Sequence, residues 1–278
     1  MGHIVDISKW NDKINWPIAA PQIELAICRV QYGSKLVDHL YNEHVSKLEQ
    51  YGIPHAAYAY GCFVSVADAI VEAKDFLARV NPNATFLVLD VEDDTVKSMK
   101  SKGNLKDLAT ASQAFIDTCK AAGWKVGFYV AHHMYGDYDL QSVQADFIWL
   151  PRYGTNDGRP QKKPAYLCDI WQYTDKGYMD GIGEVDMNVL QGDKDLAWFT
   201  GYTRSAVAPD ESKYIVTGGL GLEACTEISK YLLERKWWAK MEFTTNGDAF
   251  VQTGGIYEPQ LSEFRMWMDG NGWWYEVR

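Results

Sequence analysis

Apolar residues in the first two thirds of the chain fall into short, almost unbroken runs. Eight stand out: HIVDI (3–7), LAICRVQ (25–31), HAAYAY (55–60), FLVLDV (86–91), VGFYV (126–130), FIWL (147–150), CDIWQ (168–172) and EVDMN (184–188). Such runs, bounded by turn residues, read as strands buried on both faces. Between the early ones the period lengthens to that of amphipathic helices, over 38–50, 65–80 and 105–122. Ser65 with Asp68 gives the second a capping-box-like start, and Gly123 supplies a stop for the third. Strand–helix alternation of this kind predicts a parallel α/β barrel or sheet. After residue 131 only 138–145 could be a short helix, and 154–166 and 174–183 read as loops rich in Gly, Pro and Asp. The expectation is an α/β, TIM-like barrel of eight strands with about five helices.

The polar stretch TRSAVAPDESK (203–213) predicts a linker between a barrel over 1–202 and a small second domain over 214–278. That domain repeats itself. Residues 214–242 align without gaps on 250–278, bringing Thr217-Gly218-Gly219 onto Thr253-Gly254-Gly255, Glu227 onto Glu263, and Trp237-Trp238 onto Trp273-Trp274. Each copy reads strand, TGG turn, helix, and a strand led by two tryptophans. The pair predicts a ferredoxin-like βαββαβ module. Neighbours on a strand point oppositely, so one ring of each Trp pair is expected in the core and the other outside.

Charge narrows the partners. The chain carries 27 basic and 37 acidic residues, and 205–278 alone carries seven against eleven, so neither part suits nucleic acid or an anionic membrane surface. No apolar run is long enough to span a bilayer. MGHIVDISKW lacks the features of a signal peptide, and Cys28, Cys62, Cys119, Cys168 and Cys225 are scattered, so the expectation is a protein made in a cytoplasm with reduced thiols. Action outside the cell would then need a separate exit route.

FLVLDVEDD (86–94) raises the chemical question, because Asp90 and Glu92 share one face of a strand that should be apolar. A buried carboxylate is costly, and two together raise each other's pKa. Asp6 closes the first strand and Asp186 lies on the last, so four carboxylates converge on the mouth of a barrel. Asp93 and Asp94 read as loop. Metal binding fits poorly: no EF-hand spacing occurs, and the adjacent His132 and His133 point apart, so no metal or cofactor is expected. Glycoside hydrolysis fits, since it needs one carboxylic acid to protonate the leaving oxygen and a second group at the sugar carbon. Tyr58, Tyr60, Tyr129, Trp149, Tyr153, Trp171 and Tyr173, at strand ends, could line a sugar cleft. A non-catalytic glycan-binding protein on a degenerate barrel is the alternative.

DISKWN, LVLDVE, GFYV, FIWLPRYG, DIWQYT and EVDMN, in this order over roughly 1–200, resemble glycoside hydrolase family 25, the muramidases of phage endolysins and bacterial autolysins. The resemblance implies a (β/α)5β3 barrel that cleaves the β-1,4 bond between N-acetylmuramic acid and N-acetylglucosamine. It implies Glu92 as general acid, Asp90 as nucleophile or as the group orienting the 2-acetamido substituent, and Asp6 and Asp186 as supporting carboxylates. Tyr58, Tyr129, Trp149, Tyr153 and Gln172 carry over as cleft residues. One departure is Tyr58-Ala59-Tyr60, where members often have His between the aromatics. The tail resembles the wall-binding domain of some phage N-acetylmuramoyl-alanine amidases through TGG and GWWYEV. It implies binding to peptidoglycan or a secondary wall polymer, with Trp237, Trp238, Trp273 and Trp274 as candidates; self-association and support of the barrel are the competing roles.

Overall fold

The computed structural model describes residues 2–201, 213–235, 237–245, 248–256 and 260–278. The chain divides into two compact units, Met1–Thr203 and Arg204–Arg278. Apart from Lys213, the linker expected over 203–213 lies at or beyond the edge of the described residues, with only Lys213 among them.

In the first unit the order is β1 (His3–Ile7), α1 (Trp16–Ala19), β2 (Ile23–Tyr32), β3 (Leu36–Val37), α2 (Tyr41–Gln50), β4 (His55–Tyr60), α3 (Val66–Arg79) and β5 (Leu87–Val91). It continues with α4 (Asp93–Ser101), α5 (Leu108–Ala121), β6 (Val126–Val130), β7 (Phe147–Pro151), β8 (Ile170–Met179), β9 (Gly183–Leu190) and α6 (Leu196–Thr200). Strands β1, β2, β4, β5, β6, β7, β8 and β9 close into an eight-stranded barrel through the β1–β2 and β1–β9 pairings, with β3 hairpinned onto β2.

Alternation along each strand sorts its residues between two cores. Leu87, Leu89 and Val91 face outward with Phe76 and Phe115 of the surrounding helices, while Val88 points inward with Ile27, Ala56, Tyr129 and Trp149. The barrel floor is aromatic. Phe147 meets Phe86 and Phe199 edge-on, each at 5.0 Å between centroids, so α6 plugs the lower end. Gly127 makes room for this plug, since a Cβ there would fall 2.2 Å from the Phe147 ring. Ser65 caps α3 by accepting from Asp68 N–H, Asp68 accepts from Val64 N–H, and Gly123, with φ +90°, follows α5 as the sequence predicts.

Four local expectations are corrected. The final strands β8 and β9 form an antiparallel hairpin, and β9 returns antiparallel to β1. Most of the loop expected over 174–183 is the extended arm of that hairpin, so the polar residues there sit on strands that project beyond the barrel. Over 138–145 only a single 3-10 turn, Leu140–Ser142, forms. Asp93 and Asp94 open a helix, α4, where acids meet the positive end of the helix dipole.

The second unit runs β10 (Ile215–Thr217), α7 (Leu222–Glu234), β11 (Ala239–Phe243), β12 (Ala249–Thr253), α8 (Gln260–Gly270) and β13 (Tyr275–Val277). Its sheet has the order β11-β12-β10-β13, with antiparallel neighbours. One face is packed: Ile215, Val251 and Ala249 join Ile228, Leu232, Phe264 and Met268 in a separate core.

Candidate active site

The mouth of the barrel lies at the C-terminal ends of its parallel strands. Position 6 is inward because Ile4 is, and position 90 is inward because Val88 is. Asp6 and Asp186 are direct cross-strand partners on β1 and β9, and Asp90 sits between Tyr60 of β4 and Tyr129 of β6. Glu92 follows the end of β5 and is the N-cap residue of α4. Its N–H donates to Thr95 Oγ1 (3.2 Å), and that hydroxyl donates to the Gly61 carbonyl (2.5 Å). A short helix thus fixes the acid's backbone, one residue beyond the strand.

Beneath the acids runs a buried amide relay. Gln172 Nε2 donates to both Asp6 oxygens (3.1 and 3.0 Å) and reaches Asp186 Oδ2 at 3.5 Å. Its Oε1 accepts from the Tyr129 and Tyr153 hydroxyls at 3.0 and 2.5 Å. Asn188 Nδ2 donates to Asp6 Oδ2 (2.8 Å) while its Oδ1 accepts from Trp149 Nε1 (2.8 Å). Gln172→Leu strips Asp6 of two hydrogen bonds and orphans two phenols. It is expected to destabilise the fold by about 1–3 kcal/mol and to cut activity at least tenfold, read by thermal unfolding and wall hydrolysis.

Burial raises all four carboxyls. Asp186 is pushed up to about 10, chiefly by desolvation and then by Asp6 beside it. Asp6 is raised by desolvation, against the lowering effect of its Asn188 and Gln172 hydrogen bonds. Asp90 is held well above the ordinary carboxyl range by desolvation, then by Glu92 and Asp6. Glu92 is pushed up to about 7, again first by desolvation. Here the structure corrects one expectation: the hydrogen bond with Asp90 lowers Glu92 instead of raising it, and the two carboxyls titrate as a pair. Asp90 Oδ1 is buried and has no hydrogen-bond partner.

The aromatic set divides. Tyr58, Tyr60 and Tyr153 are half-buried at the mouth, with Tyr60 stacked on Tyr32 at 4.5 Å. Tyr129 and Trp149 are buried below the acids, 4.8 Å apart edge-to-face, and form the floor. Trp171 and Tyr173 do not face the cleft: they pack in the outer core, because 171 and 173 have the opposite parity to Gln172.

Sequence reasoning missed Arg29 and Asn188. Arg29 shares the inward face with Leu25 and Ile27, its positive charge lowers the Asp90 pKa, and its guanidinium is pinned to Asp38 at 3.0 Å. Strand parity alone would have found both. Trp10, four residues past Asp6, is also unheralded and 76% exposed. Among the described residues no cluster of His, Cys, Asp and Glu is arranged to hold a metal ion.

The glycosyl hydrolases family 25 pattern matches residues 5–182. The chain belongs to that family. This hydrolase resembles the catalytic domain of endolysin ply40 from bacteriophage P40 of Listeria monocytogenes, with 32% identity and a TM-score of 0.65 over 73% of this chain and 98% of that one. It is 26% identical over 204 residues to an uncharacterized Escherichia coli K12 protein, YegX, covering 68% of this chain and 70% of the relative. It is 30% identical over 128 residues to a lysozyme of Streptococcus phage Cp-1, covering 44% of this chain and 36% of that enzyme. Residues 234–277 match the PlyG cell wall binding domain. No helix among the described residues is long and apolar enough to cross a membrane.

Proposed function

We propose that this family 25 hydrolase is a muramidase, cleaving the β-1,4 bond between N-acetylmuramic acid and N-acetylglucosamine with Glu92 as general acid. The observation that carries the reading is a carboxyl at the barrel mouth with a pKa near 7, beside a second, deeper carboxyl. A group with that pKa can be protonated at neutral pH and ionised a moment later, which an acid that becomes a base requires. Glu92 donates its proton to the glycosidic oxygen as the bond from that oxygen to the anomeric carbon breaks.

Of the two roles open to Asp90, the unpartnered Oδ1 favours orientation of the 2-acetamido group. That oxygen lacks a donor, and an amide N–H supplies one. The substrate's carbonyl oxygen then attacks the anomeric carbon, and water, deprotonated by Glu92, opens the cyclic intermediate with retained configuration. Asp6 and Asp186 support the site's charge, and Tyr58, Tyr60 and Tyr153 provide open rings for the sugar chain. Asp90→Ala assayed with azide tests the assignment. The expected outcome is no rescue; formation of a muramyl azide would make Asp90 the nucleophile.

We further read the second unit as a ferredoxin-like duplication that anchors the enzyme to its substrate. In support, the elements of 214–242 recur in 250–278, and hydrogen bonds recur with them: Ile215 N–H donates to Thr253 Oγ1 and Val251 N–H to Thr217 Oγ1, each at 2.9 Å. The match of 234–277 to a wall-binding domain supports the anchoring role. Depletion of the full chain from solution by purified Gram-positive walls tests it.

A further inference from the structure

The internal repeat leaves its clearest mark on the helix-free face of the second unit's sheet. Trp237 and Trp273 pack against the core, whereas Trp238 and Trp274, one residue on, are 66% and 65% exposed. Both exposed rings lie over a glycine of the TGG turn in the opposite repeat. A Cβ on Gly254 would stand 3.4 Å from Trp238 Cε3, and one on Gly218 would stand 3.1 Å from Trp274 Cε3. The backbones are tied in the same way, with Gly254 N–H donating to the Trp238 carbonyl (2.8 Å) and Gly218 N–H to the Trp274 carbonyl (3.0 Å). Neither glycine has a positive φ, so backbone conformation does not call for glycine there. At Gly218 the missing side chain lets the Trp274 indole lie close against the sheet with its other face open, while at Gly254 a Cβ would stand in ordinary contact with the Trp238 ring.

Core packing accounts for Trp237 and Trp273 but not for this second pair. An exposed indole gains little from burial, yet the chain builds its seat twice. Strand parity adds a further aromatic beside each seat: Phe250 shares the face of Gln252 and Gly254, and Tyr214 that of Val216 and Gly218. Lys240, Gln252, Val216 and Glu276 form the middle row, all but Val216 carrying hydrogen-bonding groups. The two indoles stand at diagonal corners, three strand spacings across and four residues along, roughly 20 Å apart by ordinary sheet dimensions.

We propose that this face carries two equivalent sugar-stacking sites, Trp238 over Gly254 and Trp274 over Gly218, that grip one uncharged wall polysaccharide at two points. This rests on the wall-binding reading above and adds the place, the valence and the ligand class. Charge selects the ligand. Seven basic residues against eleven acidic ones over 205–278 disfavour a phosphate-rich polymer, while flat, exposed rings between polar side chains suit sugar rings with apolar faces. Two sites on one repeating chain bind with an avidity that can exceed either site alone by about 10²–10⁴.

Isothermal titration of the full chain with polysaccharide released from Gram-positive walls by hydrofluoric acid, and with short fragments of it, tests this. Short fragments should fill two equal sites per chain. Trp238→Ala and Trp274→Ala should each leave one site of unchanged affinity and lose about 10²-fold or more on the long polymer. The double variant should lose both sites with its circular dichroism intact. Gly218→Val, which keeps both indoles but denies Trp274 its seat, should behave as Trp274→Ala. Wall binding retained by the double variant, strongly unequal single variants, or a preference for teichoic acid would each overturn this proposal while leaving the anchoring role standing. Failure of the unaltered chain to bind walls at all would overturn both.

Discussion

Glu92→Gln is expected to abolish wall hydrolysis, by at least about 10³-fold, while leaving the fold intact. General acid catalysis is worth roughly 10²–10⁴ in rate, and in the proposed mechanism the same side chain is used twice, as acid and then as base. Glutamine keeps the length and the capping position but cannot release a proton. Its backbone N–H still meets Thr95, so α4 should form as before. The check is release of reducing ends from purified walls, with circular dichroism as the control. Near-normal turnover would remove Glu92 from the proton-transfer role.

The same substitution should make the protein more stable at alkaline pH. Glu92 is raised in the folded state, from an ordinary carboxyl value near 4.5 to about 7. The folded state therefore binds its proton more tightly than the unfolded chain does. That contribution is complete below pH 4.5 and is lost as pH rises through 7. The loss is about 3 kcal/mol, since each pKa unit is worth about 1.4 kcal/mol. Glutamine does not titrate, so the stability of Glu92→Gln relative to the unaltered chain should rise by about that much between pH 4 and pH 9. Glu72, a buried carboxyl on α3 raised to about 8, acts in the same direction and is unaffected by the substitution. Some pH dependence should therefore survive in the variant. Urea unfolding across this range measures the difference; a constant difference would mean that Glu92 is not held in a desolvated site. The acid cluster is a stability burden that the barrel tolerates at its mouth, where we propose the chemistry occurs.

Much of this was legible in the sequence because both periods are local. The apolar runs mark all eight barrel strands, and alternation within FLVLDV assigns each residue its face. The four acids could be placed because strand ends converge in any closed barrel. What escaped depends on partners far along the chain. The direction of β9 is set by its hairpin with β8 and its closure onto β1, neither of which leaves a mark in EVDMN. Helix α4 carries too few apolar residues to show a stripe, and the capping by Thr95 identifies it only once Glu92 is in place. Trp171 and Tyr173 look like cleft residues by position, but parity with Gln172 sends them outward. Gln172 itself resembled one more cleft contact, and its role as the hub under Asp6 appears only when barrel closure brings β1, β6 and β8 around one interior. In the second unit the alternation rule required one ring of each Trp pair to face out; only the sheet shows it to be the second.

The central claim is the identity of the bond cleaved. Purified Gram-positive peptidoglycan would be digested with the full chain, reduced with borohydride, and its new ends identified by mass spectrometry. The expected product is reduced N-acetylmuramic acid, formed by the unaltered protein and not by Glu92→Gln. Reduced N-acetylglucosamine in its place would contradict the assignment, because the barrel would then be cutting the alternate linkage of the same glycan.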